Sequence, residues 1–149
     1  MTMTQNRPIA YAQLAHDEQE LVDLAWQMSE RAYIPYSQFP VGAAILGENA
    51  QRETRVFGGC NVENASYGAC ICAERTAACK AVSEGYQKFL KVAVVCAKRP
   101  GGSPCGICRQ FLREFGLQAV ILCVQDRDNN VMRYGLDELL PDSFGPDSL

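Results

Sequence analysis

Residues 92–124 read VAVVCAKRPGGSPCGICRQFLREFGLQAVILCV. Val92 to Ala97 is a continuous apolar run closed by the Pro/Gly loop Lys98 to Pro104, so it reads as a buried strand. Cys105 to Phe115 reads as a helix. Cys108, Phe111, Leu112 and Phe115 fall on one side of it, and Gly116 supplies the stop. Ala119 to Val124 is a second buried strand. A strand–helix–strand unit of this length implies parallel strands joined by a crossover helix. The class is therefore α/β, with helices packed on a sheet.

The same reading extends outward. Met1 to Ala15 reads as a loose lead-in. Asp17 sets up a helix start with Glu20 as its capping-box partner. Leu21, Leu24, Ala25, Met28 and Ala32 recur at helical spacing, and Pro35 ends the run. Val41 to Leu46 and Arg55 to Cys60 read as two strands of a hairpin around the polar turn Gly47 to Glu53. Asn61 to Gly68 is a loop, and Cys72 to Glu84 is a helix stopped by Gly85. Val131 to Tyr134 reads as a last strand, and Leu136 to Leu140 as a short helix. The helical crossovers imply a mainly parallel core, and the hairpin makes the sheet mixed. No repeat or linker divides the chain, so residues 1–149 read as one domain.

With 149 residues, 48% of them hydrophobic and 21% charged, the chain can bury a core without disulfides. A net charge of −3 argues against a nucleic-acid-binding surface. No stretch near Met1 has a signal-peptide core, and no segment could span a bilayer. The expectation is a soluble cytoplasmic protein whose eight cysteines are reduced thiols. Clustered thiols then suggest metal or catalysis. Cys79, Cys96 and Cys123, in apolar helix or strand positions, suggest core filler.

Two segments carry chemistry: Cys72-Ala73-Glu74-Arg75 and Pro104-Cys105-Gly106-Ile107-Cys108. Cys105 and Cys108 stand three apart at a helix start, so both thiols can face one point. Cys72 also opens a helix, and helix N-termini favour thiolates. Three thiolates suit zinc and leave a fourth tetrahedral corner for water, the arrangement of a catalytic centre. Glu74 can stand beside that corner and move protons from the water to a ring nitrogen and then to departing ammonia. This is the pattern of zinc deaminases. Three thiolates and Zn²⁺ sum to one net negative charge, which weakens the metal as a Lewis acid. Arg75, adjacent in sequence, is the candidate to hydrogen-bond the thiolates and withdraw that charge. The competing reading is a closed four-cysteine structural site, with Cys60 or Cys70 as the fourth ligand. His16 reads as solvated surface. Trp26 lies off the apolar stripe of its helix.

Four motifs in order resemble the homotetrameric cytidine deaminases. They are Tyr36-Ser37-Gln38-Phe39-Pro40-Val41-Gly42-Ala43-Ala44, Gly59-Cys60-Asn61-Val62-Glu63-Asn64-Ala65-Ser66-Tyr67-Gly68, Cys72-Ala73-Glu74-Arg75-Thr76-Ala77 and Pro104-Cys105-Gly106-Ile107-Cys108-Arg109-Gln110. The resemblance runs from about Glu18 to Phe144. It implies a three-layer α-β-α fold with a mixed five-stranded sheet. It also implies hydrolysis of cytidine and deoxycytidine to uridine and deoxyuridine in pyrimidine salvage, with one zinc per subunit. By position, Cys72, Cys105 and Cys108 match the zinc ligands and Glu74 the acid/base. Asn61 and Glu63 match residues that hydrogen-bond the ribose hydroxyls. Phe39 matches the aromatic on the base, with Val41 beside it, and the backbone at Ala73 matches the part that reads the pyrimidine edge. Tyr67 and Phe144 match residues that reach a neighbouring subunit's site, so the resemblance implies a homotetramer with shared active sites. The longer lead-in and a slightly extended turn at Gly47 to Glu53 depart from the pattern. The nearest rival activity is deamination of a cytosine-containing antibiotic such as blasticidin S. A zinc protein without turnover is the rival from another class.

Overall fold

The computed structural model describes residues 7–149. The elements are α1 (His16–Ser29), β1 (Val41–Glu48), β2 (Thr54–Cys60), α2 (Ala73–Ser83), β3 (Lys88–Cys96), α3 (Gly106–Gly116), β4 (Val120–Val124), β5 (Val131–Gly135) and α4 (Leu136–Leu139). Three short 3-10 turns accompany them. No helix of the described residues is long and apolar enough to cross a membrane.

The five strands form one sheet in the order β2-β1-β3-β4-β5. Only β3 and β4 pair in parallel; β1–β2, β1–β3 and β4–β5 are antiparallel. The expected mainly parallel core is therefore corrected, while the mixed five-stranded sheet stands. The crossover rule did hold for direction. Strands β2, β3 and β4 run the same way, but β1 lies between β2 and β3, so the crossover through α2 skips a strand.

The direction of those strands places the site. The loops leaving β2 and β3 emerge at one edge, and the chain enters β1 at that same edge, where Val41 is opposite Cys96. Open α/β sheets bind ligands at the carboxyl ends of their strands.

Alternation along the strands builds the two cores. Ile45, Val92, Val94, Ile121 and Cys123 face α2, α3 and α4, where they meet Ala77, Ala78, Ala81, Leu112 and Leu136. Ala44, Ala93, Val95, Leu122 and Val124 face the opposite way, onto Leu21, Val22 and Ala25 of α1. Each Leu or Val buried in this way is worth about 1.5–3 kcal/mol. The layers are thus α1, the sheet, then α2, α3 and α4. Two glycines set the spacing between them. A Cβ at Gly42 would stand 1.8 Å from the Ala25 carbonyl oxygen of α1, and one at Gly59 would stand 2.4 Å from the Ala77 nitrogen of α2. Both helices lie directly against strand backbone.

Helix α1 starts at His16, and Glu18 rather than Glu20 accepts the Ala15 N–H, at 3.2 Å. Glu20 instead lies beside exposed His16, at 3.6 Å. The helix ends at Ser29, six residues before Pro35. Of the lead-in, residues 1–6 lie outside the described residues. The rest is less loose than expected, because Ile9 exchanges both backbone hydrogen bonds with Val131 of edge strand β5. Trp26 donates its indole N–H to Asn129, at 2.6 Å.

Candidate active site

Cys72 and Cys105 occupy the N-cap positions of α2 and α3, and Cys108 lies one turn into α3. Helices α2 and α3 both begin at the sheet edge where β2 and β3 end, so two helix N-termini converge on one point. The three sulfurs lie within 4.8 Å of one another, and Cys72 Sγ and Cys105 Sγ are 3.8 Å apart. Sulfurs about 2.3 Å from a tetrahedral zinc are about 3.8 Å apart, which is the separation of Cys72 and Cys105 here.

The open-corner reading also fits. Cys60 contacts the Arg31 carbonyl, and Cys70 packs on the Asn64 backbone; neither joins the cluster. The eight cysteines are all unpaired.

Charge is organised around the sulfurs. Arg75 donates from Nη2 to Cys72 Sγ, at 3.5 Å, and its buried Nε has no partner. The thiolate at Cys72 holds the Arg75 guanidinium charged. The Cys72 thiol is lowered to about 5, chiefly by hydrogen bonding from Cys108 and, against the cost of burial, by Arg75. The Cys108 thiol moves up instead, through its hydrogen bond to Cys72 and its burial. Glu74 is 4% exposed and its Oε2 accepts from Cys108 Sγ, at 3.7 Å. Burial pushes Glu74 up to about 7, and the Cys72 charge adds to the shift. A carboxylate near 7 can both take and give a proton at neutral pH.

A cavity of about 250 Å³ opens over this group. Phe39, Val41, Asn61, Cys72, Ala73, Glu74 and Cys105 all line it. Asn61 and Cys72 also line a larger outer groove of about 390 Å³, which holds Glu63 and Tyr67. The structure thus brings together every expected site residue except Phe144, which lines neither space. Phe144 is 61% exposed on the C-terminal segment, and its carbonyl accepts from Gln110, at 2.9 Å.

Asn61 and Glu63 do more than face the cavities. Asn61 ties the segment entering β1, accepting from the Val41 N–H and donating to the Phe39 carbonyl, each at 2.8 Å. Glu63 accepts from the backbone N–H groups of Tyr36, at 2.9 Å, and Ser37.

Sequence reasoning missed part of the lining. Cys96 and Ser103 also face the inner cavity, so Cys96 is not core filler. Their signal was positional: Cys96 ends β3, and Ser103 immediately precedes the Pro104-Cys105 pair. Arg109 fixes that loop through the Pro104 carbonyl, at 2.7 Å, and Ser103 Oγ, at 2.9 Å. Cys79, also expected in the core, is exposed on α2. Cys123 is buried as expected.

Comparison with known proteins agrees with this geometry. Residues 15–124 match the model of the cytidine and deoxycytidylate deaminase zinc-binding region. The cytidine deaminase of Sporosarcina psychrophila is 38% identical over 133 residues, covering 89% of this chain and 95% of that protein. That of Mycobacterium tuberculosis is 42% identical over 125 residues, covering 84% and 87%. The crystal structure of cytidine deaminase from Burkholderia pseudomallei superposes with a TM-score of 0.75 at 41% identity, over 88% of this chain and all of that one. With three thiols at zinc spacing, a buried carboxyl beside them and a match over most of its length, the chain belongs to the cytidine and deoxycytidylate deaminase family of zinc-binding proteins.

Proposed function

We propose that this protein hydrolyses free cytidine and deoxycytidine to uridine and deoxyuridine, releasing ammonia. The observation that carries the reading is Glu74, buried beside three thiols at zinc spacing and facing a cavity of about 250 Å³. Cys72, Cys105 and Cys108 hold the metal. Bound there, zinc supplies Lewis acidity and a nucleophilic water near neutral pH.

The rest of the work falls to the chain. The inner cavity takes the base, with Phe39 and Val41 on its faces and the Ala73 backbone at its edge. Glu74 carries a proton to the ring nitrogen and then to the leaving ammonia. Burial keeps bulk water from competing for that carboxyl. Arg75 draws charge from the thiolates and so keeps the metal electrophilic. The outer groove takes the sugar, with Asn61 and Glu63 accepting from its hydroxyls.

Tyr67 and Phe144 are 72% and 61% exposed, so both rings are free to pack against a neighbouring subunit. The reading is a homotetramer in which these two rings close neighbouring sites. Three reduced thiols suit the cytoplasm. A purified chain that sediments as an active monomer would sink the shared-site part.

The deciding assay follows cytidine loss by ultraviolet absorbance in wild type and Glu74→Gln, with zinc measured in both. The expected result is zinc retained and turnover down by about 10²–10⁴-fold. Equal turnover in the two proteins, or turnover of blasticidin S alone, would overturn the reading.

A further inference from the structure

The inner cavity and the outer groove share Asn61 and Cys72. A substrate whose ring reacts at Glu74 must therefore leave its remaining part in the outer groove. Glu63 is the carboxylate there, and it is already engaged. It accepts from the Tyr36 N–H, the Ser37 N–H and the Ser37 hydroxyl. The Ser37 N–H is shared between both carboxylate oxygens, at 3.2 and 3.3 Å, so it saturates neither and the group can still accept from an incoming hydroxyl.

Ser37 has a second bond. Its Oγ accepts the Phe39 N–H, at 3.0 Å. A continuous chain of donors thus runs from the Phe39 backbone through the Ser37 hydroxyl to Glu63. It links the ring of the inner cavity to the acceptor of the outer groove. Gln38, between the two bonded residues, has φ of 53°, a left-handed conformation uncommon for residues other than glycine. Such a turn persists where its surroundings hold it. Glu63 and Ser37 hold it on one side, and Asn61 holds the Phe39 carbonyl on the other.

We propose that Ser37 is a positioning residue that couples occupancy of Glu63 by a sugar hydroxyl to the placement of Phe39 against the base. A donor arriving on Glu63 draws on the same carboxylate charge that holds the Ser37 hydroxyl. The Ser37 oxygen responds, and the Phe39 N–H moves with it. The inference rests on the nucleoside reading of the site, and neither the zinc ligands nor Glu74 take part in it.

The test crosses enzyme variants with substrates. Wild type, Ser37→Ala and Ser37→Thr are assayed on cytidine and on 2′,3′-dideoxycytidine, which lacks both ring hydroxyls of the sugar. Zinc content and melting temperature are recorded for each. Ser37→Ala is expected to lose about tenfold in kcat/KM on cytidine, the scale of one hydrogen bond to a charged group. On the dideoxy substrate the expected loss is under about threefold, because no sugar hydroxyl reaches Glu63. Ser37→Thr, which keeps the hydroxyl, restores the wild-type pattern. Equal losses on both substrates, or no loss on cytidine, overturn the inference while leaving the nucleoside reading intact. A wild type that turns over neither nucleoside overturns both. Should Ser37→Ala fail to fold, Ser37→Cys, with its weaker donor, is read by the same comparison.

Discussion

Arg75 shows how much one side chain settles. Its Nη2 contacts Cys72 Sγ at 3.5 Å, while its buried Nε has no partner. A buried donor without a partner costs about 1–3 kcal/mol, and a thiolate centre carrying excess negative charge is the natural recipient. Arg75→Gln removes the charge and keeps some donor capacity. Metal affinity is expected to fall about 10–100-fold, measured by competition with a chelator, and turnover is expected to fall with it. Unchanged affinity would show that the thiolates need no cation. At this scale the sequence was most legible. Cys72, Glu74, Cys105 and Cys108 stood out because their chemistry is uncommon and their spacing local. Cys96 and Ser103 did not, because what lines a cavity depends on which loops converge. Cys79 was misread for a related reason: an apolar-looking helix position says nothing about which face the sheet covers.

Helix α2 carries Cys72 at its cap and Glu74 in its first turn, and it sits on β2 through Gly59. A Cβ there would meet the Ala77 nitrogen at 2.4 Å and the Ala73 carbonyl oxygen at 2.6 Å. Both atoms are backbone, so the helix must move as a unit. Gly59→Ala is expected to cost about 1–3 kcal/mol in denaturant unfolding, the usual scale of overpacking. It should also weaken zinc binding, because Cys72 is displaced from Cys105. A variant with lower stability and unchanged zinc affinity would show that the two helix starts are not rigidly linked to the sheet. The elements themselves were legible from periodicity, with ends shifted by a few residues. The β1–β2 hairpin and the parallel β3–β4 pair were legible too; the full strand order was not. Nothing local in Val41 to Leu46 announces that β1, besides its hairpin with β2, also pairs antiparallel with β3. That order follows from packing both faces at once.

For the whole molecule, one ion-pair network joins α1 to strands β3 and β5. Glu18, 4% exposed, receives Lys91 Nζ at 3.3 Å and Arg133 Nη2 at 2.6 Å. Burial alone would raise the Glu18 carboxyl, but Arg133, the Ala15 N–H and Lys91 outweigh it and hold the group below its ordinary value. A carboxyl lowered on folding adds stability above its unfolded value and loses it as pH falls through the folded one. The wild type should therefore lose stability more steeply below about pH 4.5 than Glu18→Gln does. At neutral pH the variant should be weaker by an amount between about 0–1 kcal/mol for an exposed pair and about 3–5 kcal/mol for a buried one. Denaturation midpoints from pH 3 to pH 7 measure both, and parallel curves would sink the assignment. This network was invisible in sequence, since Glu18 and Arg133 are far apart along the chain and meet only when α1 packs on the sheet.

The two N-cap cysteines have one more consequence. Cys72 and Cys105 occupy positions where Ser, Thr, Asp or Asn ordinarily closes a helix, and neither makes a side-chain capping bond. Each such vacancy gives up about 1 kcal/mol. A metal ion gripping both would act as a clasp across the chain from residue 72 to residue 108, enclosing all of β3 in a closed loop. Ligation to the folded state alone adds stability in proportion to the logarithm of free metal. The same sulfurs that would equip the protein for chemistry thus make its resistance to unfolding a gauge of how much zinc its surroundings supply.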